Sequence, residues 1–284
     1  MRGTHISVRR EIGSLVVFHD LPVVQVWVGA TSLGLGYGLG RYSTSWLTLL
    51  LPLLGMSLVF MCLMGVNNLF DMKIDHEEHE YSGPITGAIT EAEAIAAVLI
   101  SGTLGLLVAA LVHPWFLLFA FAILALSALY SAPPFRFKRY YPVSIFGEFV
   151  GGYLLFPLGF AIVAAPTVGC FLVSLVPTMI AVPMRLRHDA KNVAFDGGTG
   201  KRSMAITHGH GLVQRMIVLL PYIAIALTVI YLAASIVTVP LGVLTLVFIA
   251  MPRLVKKLTF SSPPLRSVSY IWGFLFYLLA TAVT

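Results

Sequence analysis

Runs of about twenty apolar residues recur along this chain and limit what it can fold into. Of its 284 residues, 58% are hydrophobic and 11% are charged, whereas soluble domains carry about a quarter charged residues. An α-helix needs about 20 apolar residues to cross a bilayer. The sequence therefore predicts an all-α, multi-pass integral membrane protein. We predict nine spans, at about 22–40, 45–66, 93–112, 114–131, 144–164, 167–184, 212–233, 236–252 and 267–283.

The charged residues lie almost entirely on one side of the predicted membrane. All 12 Asp and Glu residues lie in the N-terminal segment, at the base of the first span, or in or beside the loops after spans two, four, six and eight. Of the 18 Lys and Arg residues, only Arg41 lies in a loop on the other side. The positive-inside rule makes the charged face and the N-terminus cytoplasmic, at the plasma membrane if the cell is prokaryotic. This distribution favours an enzyme with a pocket open to one face over a channel or transporter.

The basic residues lie in short loops between spans, which fits a membrane surface or an anionic substrate. We therefore expect membrane lipid and no nucleic acid among the partners.

Three oxygen-bearing side chains recur every fourth residue at the end of the second span. Asn67, Asp71 and Asp75 would lie within a sector of about 80° if the segment is helical. Carboxylates at the end of a span are costly unless they face a cavity and hold a cation. Hard oxygen donors suit Mg²⁺, which in turn suits a diphosphate. The alternative interpretation is a solvated polar cap where the helix leaves the bilayer.

A second stripe of this kind follows the sixth span. Asp189, Asn192 and Asp196 would share a helical sector of about 60°. The two stripes begin about 120 residues apart, and each follows an even-numbered span. This recurrence favours a joint metal–diphosphate site over two unrelated polar caps. The segment Gly200–Ser203, which contains Lys201 and Arg202, can contact phosphate but lacks the spacing of a P-loop.

The loop after the fourth span combines two prolines with three cations. Pro133 and Pro134 predict the end of a helix. The cations suit phosphate oxygens, although membrane anchoring alone also explains them. Glu148, at the start of the next span, is either a base that orients an acceptor or a partner of one cation. The three cations are Arg136, Lys138 and Arg139.

In order, these segments resemble the UbiA-type intramembrane prenyltransferase superfamily. The matching pieces are N-x-x-x-D-x-x-x-D at 67–75, Y-S-x-P-P-x-R-x-K at 130–138, and a second acidic motif followed by a Gly, a basic pair and Ser. The resemblance implies a single domain over 1–284, a bundle of nine transmembrane helices around a central cavity, with pseudo-repeated halves at about 1–135 and 136–284. It implies Mg²⁺-dependent transfer of an isoprenyl group from an isoprenyl diphosphate to an acceptor, which the sequence leaves unidentified.

The resemblance also assigns roles to individual residues. The catalytic residues would be Asp71, Asp75, Asp196, Lys138 and Tyr130. The metal ligands would be Asn67, Asp71, Asp75, Asp189, Asn192 and Asp196. The substrate-binding residues would be Asn67, Asn68, Lys73, Arg136, Arg139, Glu148, Lys201 and Arg202.

One position departs from the family pattern. Asn192 stands where the family has the first Asp of its second motif, so the site loses a negative charge that Asp189 would replace. The number of metal ions and the reaction subtype stay open at this point. The alternatives are a terpene cyclase of the same fold, or a protein that binds or transports a prenyl lipid without cleaving it.

Overall fold

The fold consists of packed α-helices. The computed structural model describes residues 21–39, 50–78, 90–191, 193, 198 and 202–259, without the side chains of 21–26, 72–78, 184, 188, 248 and 251–259. In chain order the helices are α1 (Leu21–Leu39), α2 (Leu50–Glu78), α3 (Glu91–Val112), α4 (Pro114–Ser131), α5 (Val143–Phe160), α6 (Val168–Val173), α7 (Leu175–Lys191), α8 (Met204–His208), α9 (His210–Ala233) and α10 (Val239–Thr259). No strand occurs among these residues, which confirms the all-α prediction.

Six segments within the described residues are long and apolar enough to cross a membrane. They are Leu50–Asp71, Glu91–Val112, Pro114–Ser131, Val143–Phe160, Val168–Lys191 and His210–Ala233. This confirms a multi-pass membrane protein. The helices α1 and α10 lie where the first and eighth spans were predicted, while the ninth, at 267–283, lies outside the described residues. The total of nine stays a prediction.

The predicted span at 167–184 corresponds to the candidate span Val168–Lys191, which consists of two consecutive helices. The helices α6 and α7 meet at Ser174, and α7 continues to Lys191. Pro177 explains the break, because it has no N–H to donate to the carbonyl of Val173 and its ring crowds that carbonyl. The helix α7 continues beyond the end of the predicted span, through polar residues, because a helix does not have to end where its apolar part ends.

The helices α1 and α5 approach each other closely at small residues. A Cβ atom added to Gly34 would overlap the backbone of Phe156, and one added to Gly159 would overlap the backbone of Thr31. Small residues at such crossings let two membrane helices come into backbone contact. This contact brings together the first helices of the two predicted halves.

The core lies between the helices and is rich in aromatic residues. Phe60, Phe116, Phe156 and Phe160 are almost fully buried. Many large apolar side chains on α3, α4 and α9 are exposed instead, for example Leu111. Exposed apolar side chains suit a surface that faces lipid, where burial against another helix brings no hydrophobic gain.

Three helix ends position the candidate site. The helix α2 continues past its apolar part to Glu78, so the stripe at 67–75 is helical as predicted. The helix α4 ends at Ser131, before the two prolines, as predicted. A 3₁₀ turn (Phe137–Arg139) then leads into α5.

Candidate functional site

Two distant segments meet at the end of α2 through one lysine. The ammonium of Lys138 donates to Asp71 Oδ2 at 2.6 Å and to Asn67 Oδ1 at 3.0 Å. The hydroxyl of Ser131 also donates to Asn67 Oδ1, at 3.1 Å. Asn67 and Asp71 are one turn apart on α2, so their oxygens converge on one cation. We call Asn67, Asp71, Ser131, Arg136 and Lys138 the Asp71 cluster.

Arg136 reaches the same carboxylate from an unusual backbone conformation. Its φ of 47° and ψ of 48° lie in the left-handed region, which costs a non-glycine residue roughly 1–2 kcal/mol. Its guanidinium donates to the carbonyl of Phe70 at 2.7 Å and lies 3.7 Å from Asp71 Oδ1. These contacts accompany the left-handed conformation. A strained backbone conformation of this kind persists when the surrounding contacts hold the residue in place.

Burial makes Lys138 sensitive to its carboxylate partner. Lys138 is 8% exposed. Burial lowers its pKa, because an ammonium is costly away from water, and Asp71 opposes this effect by stabilising the charged form. Arg136 and Arg185 add like-charge repulsion. Asp71 is therefore the group that favours the charged form of Lys138.

A second buried group lies among α4, α5 and α7. The hydroxyl of Tyr130 donates to Glu148 Oε1 at 3.0 Å. The guanidinium of Arg185 lies over the Tyr130 ring, 5.9 Å from its centre, a cation–π contact. Arg185 Nε lies 3.2 Å from Asp189 Oδ1, and Asp189 is fully buried. We call these four residues the Tyr130 network.

Consecutive residues of α4 connect the two groups. Tyr130 belongs to the network, and Ser131 bonds to Asn67 in the Asp71 cluster. Arg185 also lies close enough to Lys138 to act on it electrostatically. The Asp71 cluster and the Tyr130 network are therefore neighbours through the end of α4.

A short backbone bridge joins the loop after α4 to the segment before α8. Arg202 N–H donates to the carbonyl of Arg139, and Tyr141 N–H donates to the carbonyl of Arg202, both at 2.9 Å. The Arg202 side chain is exposed. Arg139 and Arg202, both predicted to bind substrate, thus lie next to each other in the backbone.

Apart from Arg139 and Arg202, the predicted site residues fall into three sets. Asn67, Asp71, Arg136 and Lys138 come together in the Asp71 cluster, and the buried Asn68 is bonded to Asn67. Tyr130, Glu148 and Asp189 lie in the Tyr130 network. The side chains of Lys73 and Asp75, and the residues Asn192, Asp196 and Lys201, lie outside the described part of the chain. Within the described part, no three His, Cys, Asp or Glu side chains come together.

Sequence reasoning missed two residues that the structure adds. Ser131 was read only as part of a motif, yet its hydroxyl bonds to Asn67. Arg185 received no role from the sequence, yet it pairs with Asp189 inside the bundle. The spacing of four residues between Arg185 and Asp189 on one helix was the available signal, since such positions are neighbours.

The donor chemistry of the Asp71 cluster suits a cation. Asn67 and Asp71 supply an amide and a carboxylate oxygen, which already hold an ammonium. Oxygens of these two types are the ligands that hard divalent ions prefer. The residues present therefore fit the predicted metal at this end of α2.

Comparison with known proteins agrees with this architecture. A model described as the UbiA prenyltransferase family matches residues 27–280. A UbiA homolog from Archaeoglobus fulgidus, bound to DMAPP and Mg²⁺, is 19% identical, with 95% of this chain and 98% of that chain covered and a TM-score of 0.73. The apo structure of a UbiA homolog from Aeropyrum pernix K1 is 18% identical, with coverages of 91% and 96% and a TM-score of 0.67.

A third structure concerns digeranylgeranylglyceryl phosphate synthase and is 16% identical, with coverages of 98% and 96% and a TM-score of 0.56. At these identities the structural likeness shows a shared fold. No curated protein matches this sequence.

Proposed function

Because this chain belongs to the UbiA prenyltransferase family, we propose that it transfers an isoprenyl group from a prenyl diphosphate to an acceptor at the membrane, with Mg²⁺. Homologs of the same fold have been solved with DMAPP or GPP together with Mg²⁺. The proposal places the reaction at the Asp71 cluster, on the cytoplasmic side.

The observation that carries this proposal is that Lys138 donates hydrogen bonds to both Asn67 and Asp71. The cluster offers oxygens for a metal ion and, from Lys138 and Arg136, donors for phosphate oxygens. A site for a metal-bound diphosphate needs both kinds of group within a few ångströms. Two cations meet one carboxylate among the described side chains, which favours an additional anion.

Each residue then has a distinct role. Bound Mg²⁺ would offset the charge that builds up on the departing diphosphate. Asn67 and Asp71 would hold the ion, with Asp75, Asp189, Asn192 and Asp196 as further proposed ligands. Arg136, which presents a planar fork, and Lys138, which presents a point charge, would bind diphosphate oxygens. The proposed assistants in binding are Asn68, Lys73, Arg139, Lys201 and Arg202.

The apolar interior of the bundle would hold the prenyl chain. Limiting the access of water slows premature capture of an allylic cation, so that most of it reaches the acceptor. Charged groups at one end and an apolar interior beyond them match an amphipathic substrate that enters with its diphosphate at the loops.

A product assay tests the proposal. The purified protein is incubated with dimethylallyl, geranyl or geranylgeranyl diphosphate and Mg²⁺, with and without a panel of phenolic, naphthoate and glycerophosphate acceptors. Mass spectrometry then identifies the products. We expect a prenylated acceptor and released diphosphate. A cyclic hydrocarbon formed without acceptor would replace the proposal with a cyclase, and binding without diphosphate release would replace it with a non-enzymatic binder.

A further inference from the structure

Glu148 is a carboxylate placed within the bundle. It is the sixth residue of α5, about 7.5 Å along the axis from Val143. Within the described part of the chain, the charged and polar groups that act on it belong to α4 and α7. An ionisable group inside a membrane bundle is costly and usually serves a function. A functional role is therefore expected for Glu148.

Glu148 forms no ion pair with another residue of the described part of the chain. Its hydrogen-bond donor is the neutral hydroxyl of Tyr130, at 3.0 Å. The nearby cation, Arg185, forms its ion pair with Asp189. Within the described residues, no ion pair joins Glu148 to Arg136, Lys138 or Arg139. This differs from a structural ion pair, in which each carboxylate has its own cation.

Hydrogen bonds to consecutive residues of α4 relate Glu148 to the Asp71 cluster. Tyr130 and Ser131 are adjacent, and Ser131 bonds to Asn67. Glu148 is thus connected, through two consecutive residues of α4, to the cluster proposed to hold the diphosphate. A substrate bound by its diphosphate there would extend its prenyl chain inward, so its first carbon would lie between the cluster and the apolar interior.

We propose that Glu148 is the proton acceptor of the transfer reaction, with Tyr130 as its positioning residue. The inference rests on the proposed function and deepens it. The bond between the first prenyl carbon and the bridging oxygen breaks, and its electron pair leaves with the diphosphate. The nucleophilic atom of the acceptor bonds to that carbon, and the proton that this atom loses goes to the Glu148 carboxylate.

This role defines the chemical class of the acceptor. The acceptor must carry a proton that it loses on alkylation, on a hydroxyl oxygen or on an activated aromatic carbon. Tyr130 holds the carboxylate oxygen in place through its hydrogen bond. Arg185, over the Tyr130 ring and paired with Asp189, holds the ring in place.

The test separates ionisation from proton removal and needs no known acceptor. Geranyl diphosphate with a heavy-oxygen label at the bridging position is incubated with protein and Mg²⁺ alone. Exchange of the label into the other oxygens of the adjacent phosphate reports reversible ionisation. Net release of diphosphate reports irreversible loss of the cation, because capture by water and elimination to a diene each release one proton.

For Glu148→Gln we expect exchange within about threefold of wild type and net release about 100-fold slower, the usual range for a lost general base. Tyr130→Phe should show the same pattern in weaker form. Glu93→Gln is the matched control, because Glu93 is exposed in the capping box of α3 and glutamine preserves that motif. It should change neither rate. Thermal unfolding of each variant checks that it is folded.

Several results would overturn the inference. Exchange and release falling together in Glu148→Gln would assign Glu148 to ionisation or structure. Both rates staying at the wild-type level, or exchange without any net release in the wild type, would also contradict it. A wild-type protein with neither exchange nor release would instead count against the proposed prenyltransferase function itself.

Discussion

Lys138 and Asp71 are 67 positions apart in the chain, yet the lysine ammonium lies 2.6 Å from the aspartate oxygen. Asp71 lies near the end of a membrane-spanning helix, and Lys138 lies in a 3₁₀ turn of the loop after α4. The contact therefore joins the acidic motif to the basic motif. It makes the two motifs one candidate site.

Lys138→Met should abolish most of the transfer activity. The variant removes a buried donor proposed to bind diphosphate oxygens and keeps an apolar chain of similar length. Losing one such electrostatic contact costs about 100-fold or more in turnover. The measurement is the rate of diphosphate release. Arg215→Met, at an exposed position of α9, should release diphosphate at the wild-type rate; equal rates for both variants would contradict the assignment.

Ser131→Ala should raise the Mg²⁺ requirement. Ser131 orients Asn67, and losing such a partner of a metal ligand typically costs about 10–100-fold in metal affinity. The readout is the Mg²⁺ concentration for half-maximal activity. Ser127→Ala is the control, because Ser127 lies one turn earlier on α4 and bonds to the carbonyl of Leu63 instead. An unchanged requirement in Ser131→Ala would remove Ser131 from the site.

Asp189→Asn should destabilise the protein by about 3–5 kcal/mol, because it leaves the Arg185 charge in the interior without its carboxylate partner. The double variant Arg185→Met with Asp189→Leu removes both charges and should recover much of this loss. Thermal unfolding in detergent measures both effects. Wild-type stability in Asp189→Asn would show that the pair is not a structural element, and a double variant no better than the single one would show that charge is not the cause.

Gly159→Ala should weaken the packing of α1 against α5. The added methyl group would meet the backbone of Thr31, which cannot move aside as a side chain can. Overpacking of this kind costs typically about 1–3 kcal/mol. Gly151→Ala, on the same helix with nothing near its added methyl, should be neutral or slightly stabilising. Equal unfolding temperatures for the two variants would contradict the close helix crossing.

Local patterns in the sequence predicted the parts of the site that depend on one segment. The four-residue period of Asn67 and Asp71 predicted their common helix face, and Pro133 with Pro134 predicted where α4 ends. Apolar runs predicted a membrane protein because each run is likewise a property of one segment. They did not predict the break at Ser174, although its cause, Pro177, is visible in the sequence.

The sequence did not predict the contacts between side chains of different segments. Nothing local in the sequence indicates that Tyr130 bonds to Glu148, or that the Arg185 guanidinium lies over the Tyr130 ring, because these contacts depend on how α4, α5 and α7 pack. For the same reason, the sequence alone left Glu148 with two interpretations, as a base or as a partner of a loop cation.

Diphosphate release from geranyl diphosphate, with and without Mg²⁺, tests most directly whether the Asp71 cluster is a metal-dependent ionisation site. The comparison is between the wild type and Asp71→Asn, an isosteric variant that removes the charge and whose folding is checked by thermal unfolding. We predict release by the wild type only with Mg²⁺, and loss of that release in folded Asp71→Asn. Release that persists without Mg²⁺, or at the wild-type rate in Asp71→Asn, would contradict the account.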